Sequence, residues 1–280
     1  MPDNPRDSAL TTLRSFARRQ AHQVVDVHDG FAVLDQRYPM SYHHNRLIVT
    51  GRPAPAEIIA TADAVLGGVG LTHRMVSVED DQHGSTCVPA MNRAGYRCET
   101  NLVMCHPGGP GRQAGSAIAV ESVSMADLAE SAGEEWRARL PNADEATITQ
   151  LVHRRATLPQ GAERVRFLAV RDATGRVLSH ADLYLHATAT GRIAQIEDLI
   201  TGQGHTGNGY AGAVVSEALR IAREAACDLV FLVADADDWP QRWYRRLGFT
   251  TVGRYRDFVR TGDVTADPHQ PCPDQRPPSP

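Results

Sequence analysis

Ile193-Ala194-Gln195-Ile196-Glu197-Asp198-Leu199-Ile200-Thr201, followed closely by Thr206-Gly207-Asn208-Gly209-Tyr210-Ala211, is the stretch on which the fold turns. The first run is rich in isoleucine and bounded by turn residues, which predicts a strand. The second is a glycine turn, after which Val214, Ala218, Leu219, Ala222 and Ala225 recur on one stripe of a helix from about Gly209 to Ala226. Glycine lets a backbone approach a ligand closely. The first turn of a helix carries amides without intrahelical partners, so this junction favours a pyrophosphate. A strand Leu229-Val230-Phe231-Leu232-Val233 and a segment Tyr244-Arg245-Arg246-Leu247-Gly248-Phe249 come next.

Gly207-x-Gly209-x-x-Gly212 also spells a dinucleotide-binding fingerprint. A dinucleotide domain, however, repeats βαβ units, and here one helix and one strand remain before a proline-rich tail. Nor does that motif account for the segment from Tyr244 to Phe249. Taken together, the two motifs resemble the GNAT acetyltransferase superfamily, whose turn reads R/Q-x-x-G-x-G/A and whose next helix ends in Y-x-x-x-G-F. Here they stand as Thr206-x-x-Gly209-x-Ala211 and Tyr244-x-x-x-Gly248-Phe249. The resemblance extends over residues 117 to 262.

The resemblance implies acetyl-CoA as cosubstrate. Its pantetheine would bond the backbone of Leu199, Ile200 and Thr201 as a neighbouring strand does. Its pyrophosphate would sit on Thr206, Gly207, Asn208, Gly209, Tyr210 and Ala211. Thr206 replaces the usual Arg or Gln, which shifts the contact toward backbone amides and the Thr206 hydroxyl. Asp237 or Asp238 stands where the family often has an Asn, and an acid there would repel phosphate. Acetyl transfer needs a deprotonated amine and a proton for the leaving thiolate. Tyr244 is the candidate acid, with a core ring packed beside Phe249 as the plainer alternative. Glu197 is the candidate base, acting through water, with Asp198 as the other choice and an ion pair to Arg192 as the alternative role. Strand alternation puts Gln195, Glu197, Leu199 and Thr201 on one face. Trp239 and Trp243 read as packing residues, and His180 and His186 as core histidines or acceptor-site groups.

Composition sets limits. The chain has 280 residues, 42% of them hydrophobic, enough for one large core or two modest ones. A net charge of −4 gives no electrostatic footprint for nucleic acid or an anionic membrane. No apolar run approaches the ~20 residues that span a bilayer, and the N-terminal arginines precede no apolar region, so cytoplasm is the expected compartment. The five cysteines, Cys87, Cys98, Cys105, Cys227 and Cys272, form no C-x-x-C pair, and the expectation is no metal and no disulfide framework.

Ser8 to Gln20 reads as an amphipathic helix with Leu10, Leu13 and Phe16 or Ala17 inward. Strands are expected at 24–27, 31–34, 46–49, 71–78 and 96–104, with helices over 55–66 and up to Gly95. Val76-Ser77-Val78-Glu79-Asp80 and then Met91 to Tyr96 echo Leu232-Val233-Ala234-Asp235 and then Tyr244 to Phe249. Residues 23–106 therefore read as a degenerate GNAT-like domain, without the glycine turn and with Met91 at the place of Tyr244. In the second half a strand 117–123, a helix from Ser124 through Trp136, a helix Glu145 to Leu158 and a hairpin 164–171/176–186 around Asp172-Ala173-Thr174-Gly175 are expected. The fold class is α/β (α+β), with two GNAT-like domains, each a mixed, mostly antiparallel sheet flanked by helices. The organisation is an N-terminal helix (1–22), the degenerate domain (23–106), a linker (107–116), a catalytic domain (117–262) and a disordered proline-rich tail (263–280). Function follows as transfer of an acetyl group from acetyl-CoA to an amine of a small molecule or protein. A non-catalytic acyl-CoA sensor is the alternative.

Overall fold

The computed structural model describes residues 4–107, 117–189 and 191–262. The first half runs helix α1 (Pro5–Gln20), strands β1 (Gln23–Val27), β2 (Gly30–Leu34) and β3 (Arg46–Val49), helix α2 (Pro55–Ala62), strand β4 (Arg74–Val78), helix α3 (Asp81–Arg93) and strand β5 (Arg97–Pro107). The second half opens with β6 (Glu121–Val123) and helices α4 (Ala129–Arg139), α5 (Glu145–His153) and α6 (Leu158–Gly161). It then repeats the earlier order: β7 (Arg164–Arg171), β8 (Val177–Thr188), β9 (Gly191–Thr201), α7 (Tyr210–Glu224), β10 (Leu229–Asp235), α8 (Pro240–Arg246) and β11 (Thr250–Arg260).

All these strands form one sheet, ordered β1-β2-β3-β4-β11-β5-β10-β9-β8-β7-β6. The last strand of each half crosses into the other. β11 lies between β4 and β5, and β5 lies between β11 and β10, all antiparallel. Among the described residues only β3 with β4 and β9 with β10 are parallel, the same place in each half. The repeat extends to the turns before the crossing strands. Gly95 and Gly248 both have positive φ, at 83° and 95°. After each, an aromatic amide bonds back five residues, Tyr96 N to Met91 O at 3.0 Å and Phe249 N to Tyr244 O at 3.1 Å. That is the left-handed helix cap that glycine permits, and it sets Met91 on Tyr244's station.

Alternation along β5 sorts the two faces. Leu102 and Met104 pack with Val214, Ala218 and Leu219 of α7, while Val103 and Cys105 pack with Ala9 and Leu10 of α1. Each fully buried leucine, valine or methionine among them contributes about 1.5–3 kcal/mol. α1 begins at Pro5, three residues earlier than the sequence periodicity suggests, because the Asn4 side chain caps Asp7 N and proline suits the first turn. β4 starts at Arg74 and β6 at Glu121, so residues 71–73 and 117–120 lie outside the strands expected there. The Ser124–Asp127 box is present, with Ser124 N donating to Asp127 Oδ2 at 2.7 Å, but it opens a 3₁₀ turn before α4. The single helix expected over 145–158 is broken into α5, a 3₁₀ turn Arg154–Thr157 and α6. Pro159 has no N–H to continue the ladder and disfavours helix before it. The expected tail 263–280 and, apart from Pro107, the expected linker lie outside the described residues.

Asp257 on β11 pins the exchanged strands. It is 3% exposed and accepts from Ser77 Oγ of β4 at 2.5 Å and Asn101 Nδ2 of β5 at 2.8 Å. Asp257→Ala leaves two donors without their acceptor and should lower stability by about 1–3 kcal/mol. Urea unfolding followed by circular dichroism should show one transition for both halves. Two separate transitions would contradict the shared sheet.

Candidate active site

β9 and β10 pair only from Ile193↔Leu229 to Ile196↔Leu232, although β9 continues to Thr201 and β10 to Asp235. Beyond that point β10 stays with β5, as far as Asp235↔Asn101, and β9 stays with β8. A gap therefore opens inside the sheet, and the backbone groups of residues 197–201 that face it need other partners. The equivalent pair in the first half stays closed: β3 and β4 pair to Val49↔Val78, and Glu79 N still bonds Val49 O at 3.1 Å.

A bulge lies at the mouth of the gap. Between β8 and β9 the register slips from His180↔Ile200 to Asp182↔Glu197, and Asp198 takes φ of 47°, a left-handed value rare outside glycine. Simple alternation fails here. Gln195, Glu197, Asp198 and Ile200 all line the cleft on the α1 face, whereas Leu199 turns to the α7 core. The expectation that Glu197 and Leu199 share a face is thereby corrected.

At the far end of the gap stands the start of α7. Gly209 caps it with φ of 81° and without any side-chain cap, and Gly207 has the same positive φ. Thr206 to Gly209 are exposed, and Asn208 turns back to donate to His205 O at 3.1 Å. The first amides of α7 are thus left for an outside acceptor. Helix α2, its counterpart, holds its own carboxylate there: Glu57 Oε2 accepts from Ala54 N at 2.7 Å.

The cleft has a volume of about 300 Å³ and is lined from both halves, including Phe16 of α1, His44 and Arg46 near β3, and Trp136 of α4. Beneath it Arg155, 4% exposed, bonds Asp198 Oδ2 at 2.7 Å and also Asp182 Oδ1. Tyr184 Oη donates to Asp182 Oδ2 at 2.9 Å. Burial raises the Asp198 carboxyl, but the Arg155 and Arg154 guanidiniums outweigh it and hold the pKa below the ordinary value. Glu197 goes the other way. Burial, reinforced by the Asp198 charge, pushes it up to about 7, against a hydrogen bond from Gln195 Nε2 at 2.6 Å. Neighbouring carboxylates with pKa values driven apart supply one fixed charge and one group that exchanges a proton near neutrality. The Tyr244 phenol is pushed well above its usual value by burial, then by Glu197 and Asp238. Its ring meets Phe249 edge-on at 5.9 Å and Trp243 at 5.2 Å.

Residues 125–249 match the model of the acetyltransferase (GNAT) family. This part of the chain is similar to that family. Solved structures of the same fold cover nearly the whole chain. A functionally unknown conserved protein from Staphylococcus epidermidis is 13% identical over 86% of this chain and 94% of its own, with a TM-score of 0.66. A GCN5-related N-acetyltransferase from Kribbella flavida is 16% identical over 94% and 97%, with a TM-score of 0.59. A tandem GNAT protein from the clavulanic acid biosynthesis pathway is 16% identical over 78% and 74%, with a TM-score of 0.52. No curated protein sequence matches the chain. Both halves therefore follow the GNAT order, with acetyl transfer as the family's general chemistry.

Most residues singled out from the sequence of the second half lie along β9 and at the start of α7. Glu197 and Asp198 stand at the mouth of the gap, Leu199, Ile200 and Thr201 along its β9 edge, and Thr206 to Ala211 at the start of α7. Tyr244 lies on α8 and packs against the α7 core cluster, outside the residues that line the cleft but near enough for the Glu197 charge to raise its pKa. Arg192 pairs with Glu163 at 2.6 Å, not with Glu197. His180 is fully buried beside the cleft network, held neutral with its pKa lowered to about 4, chiefly by burial. His186 meets Arg19 at 3.3 Å away from the cleft lining. Sequence reading missed Arg154, Arg155, Asp182 and Tyr184. One signal was there: Asp182 stands between Ala181 and Leu183 in the middle of a long strand, where a buried charge needs a partner.

Glu197 makes stability depend on pH. Its folded pKa of about 7 lies above the unfolded value near 4.5, so its favourable contribution is complete below pH 4.5 and lost as pH rises through 7. The size is at most ~3 kcal/mol, from 1.36 kcal/mol per unit. Glu197→Gln should flatten that part of the stability profile between pH 4.5 and 7.5 in denaturant titrations. An unaltered slope would mean that Glu197 ionises normally.

Proposed function

We propose that the chain is an N-acetyltransferase that moves an acetyl group from acetyl-CoA to a primary amine. The observation that carries this is the gap between β9 and β10, edged by unpaired backbone and ending at the uncapped start of α7. Pantetheine lies in the gap and bonds residues 199–201 as a strand would. The pyrophosphate rests on the amides and left-handed glycines of residues 206–211. The amine enters from the cleft on the α1 face, and Glu197 takes its proton, directly or through one water. The nitrogen attacks the thioester carbonyl, the C–S bond breaks, and the departing thiolate takes the Tyr244 proton. A phenol with a raised pKa stays protonated until a strong base forms beside it, and a thiolate leaving a thioester is one. Residues 23–106 form the non-catalytic partner domain, since their sheet has no gap and Glu57 closes the helix end.

Ala211→Glu separates fold from cofactor binding. A carboxylate in the first turn of α7 favours the helix by about 0.3–1 kcal/mol yet repels a pyrophosphate. Calorimetry on the full chain should show acetyl-CoA binding weakened at least about tenfold, with thermal stability kept or raised. Undiminished affinity would remove the α7 site. Tyr244→Phe and Glu197→Gln should each lower kcat by roughly 10- to 1000-fold, with acetyl-CoA affinity within a few-fold of wild type. Thiol release from acetyl-CoA with a panel of amines measures it. Binding without turnover of any amine would favour the second reading, an acyl-CoA sensor, to which Thr206 in place of Arg or Gln points.

A further inference from the structure

Four arginines line the cleft, and two of them are held in ion pairs. Arg139 pairs with Glu135 at 2.6 Å, and Arg155 is taken by Asp198 and Asp182. Arg154 and Arg46 also line the cleft, and among the described residues neither has a carboxylate within salt-bridge distance. Arg154 donates from Nε to Leu151 O at 3.1 Å and weakly from Nη1 to Ser41 Oγ at 3.4 Å, and its guanidinium lies 5.2 Å from the centre of the Trp136 ring. Arg46 meets His43 Nδ1 at 3.1 Å, and its Nε is buried without any partner. A guanidinium presents a rigid fork of donors that fits a carboxylate or phosphate two bonds at a time. A half-buried one without a carboxylate partner leaves part of that capacity unused. Both arginines reach the cleft beside the 41–46 segment, and Glu197 opens into the same cleft.

We infer that the acceptor is a small amine bearing a carboxylate or phosphate, whose anionic group is held by Arg154 and Arg46 while its amine faces Glu197. A cleft of about 300 Å³ is at the small end for ligand sites, which suits a metabolite rather than a protein surface. Arg46 comes from β3 and Arg154 from the turn after α5, so each half supplies one arm of the clamp. The first half, without a cofactor site of its own, thereby acquires the task of choosing the substrate. This rests on the acetyltransferase reading, with the cleft as the acceptor side.

The test uses the full chain, acetyl-CoA and matched amines that differ only in the anion: amino acids against their decarboxylated amines, and ethanolamine against O-phosphoethanolamine. The anionic members should have kcat/KM about 10- to 100-fold higher, the scale of one or two charge-assisted hydrogen bonds. The carboxylate and phosphate arms tell which oxyanion is preferred. Arg154→Met should collapse that ratio toward one, chiefly through KM, Arg46→Met should reduce it, and Arg154→Lys should restore part of it. Circular dichroism checks that each variant is folded. Neutral members turned over as well as anionic ones, or a ratio that survives both substitutions, would overturn the inference and leave the acetyltransferase reading standing. If no amine is turned over, calorimetry of the same panel on the acetyl-CoA-loaded protein decides. Binding of anionic members that Arg154→Met weakens upholds the clamp and rejects transfer, and binding of none rejects the clamp.

Discussion

The Arg155 guanidinium bridges Asp182 on β8 and Asp198 on β9, two strands whose register slips between those very residues. Without a cation there, Asp198 would be a carboxylate held in a left-handed bulge with a second acid beneath it, and the bulge would lose its reason to persist. With the cation, the bulge is fixed, Glu197 and Asp198 come out on the same face, and β9 separates from β10. The gap, Glu197 and the cleft therefore lie around one electrostatic anchor. The anchor also divides the two acids, since the arginine charge keeps Asp198 ionised and the Asp198 charge in turn helps raise Glu197.

The two halves show how one chain order serves two ends. Each runs strands, helix, strand, helix and crossing strand, and each has the same glycine-aromatic cap before the crossing. They differ where a ligand would enter. In the second half the parallel strands part and the helix start is bare, while in the first they stay paired and Glu57 satisfies the helix start. A few backbone hydrogen bonds thus distinguish the open end of one half from the closed end of the other.

Much of this was legible in the sequence because it depends on local chemistry. The glycine turn, the strand before it and the tyrosine-glycine-phenylalanine helix end each announce themselves within a few residues, and β3 and β7 have the expected bounds. The repeat was visible because the capping glycines are local too. Three features were not legible. The bulge at Asp198 is stabilised by an arginine far away in sequence, so nothing nearby signals the broken alternation. The break at Arg154 reads as helix until Pro159 is weighed against the ladder. The exchange of β5 and β11 leaves no mark at all, since a buried strand presents the same apolar run whichever neighbours it has.

That exchange bears on how the molecule is made. β5 ends at Pro107, and the two strands that flank it, β10 and β11, are synthesised more than a hundred residues later. While the chain emerges from the ribosome, β5 and β4 have apolar faces and unpaired edges whose rightful neighbours do not yet exist. Such long-range pairing is slow to form and leaves edges open to the wrong partners. β11 pairs with both β4 and β5, so neither half has its full set of neighbours until that last strand is in place. A chain that ends before Thr250 is thus short of a strand in both halves at once, with the edges of β4 and β5 both left open.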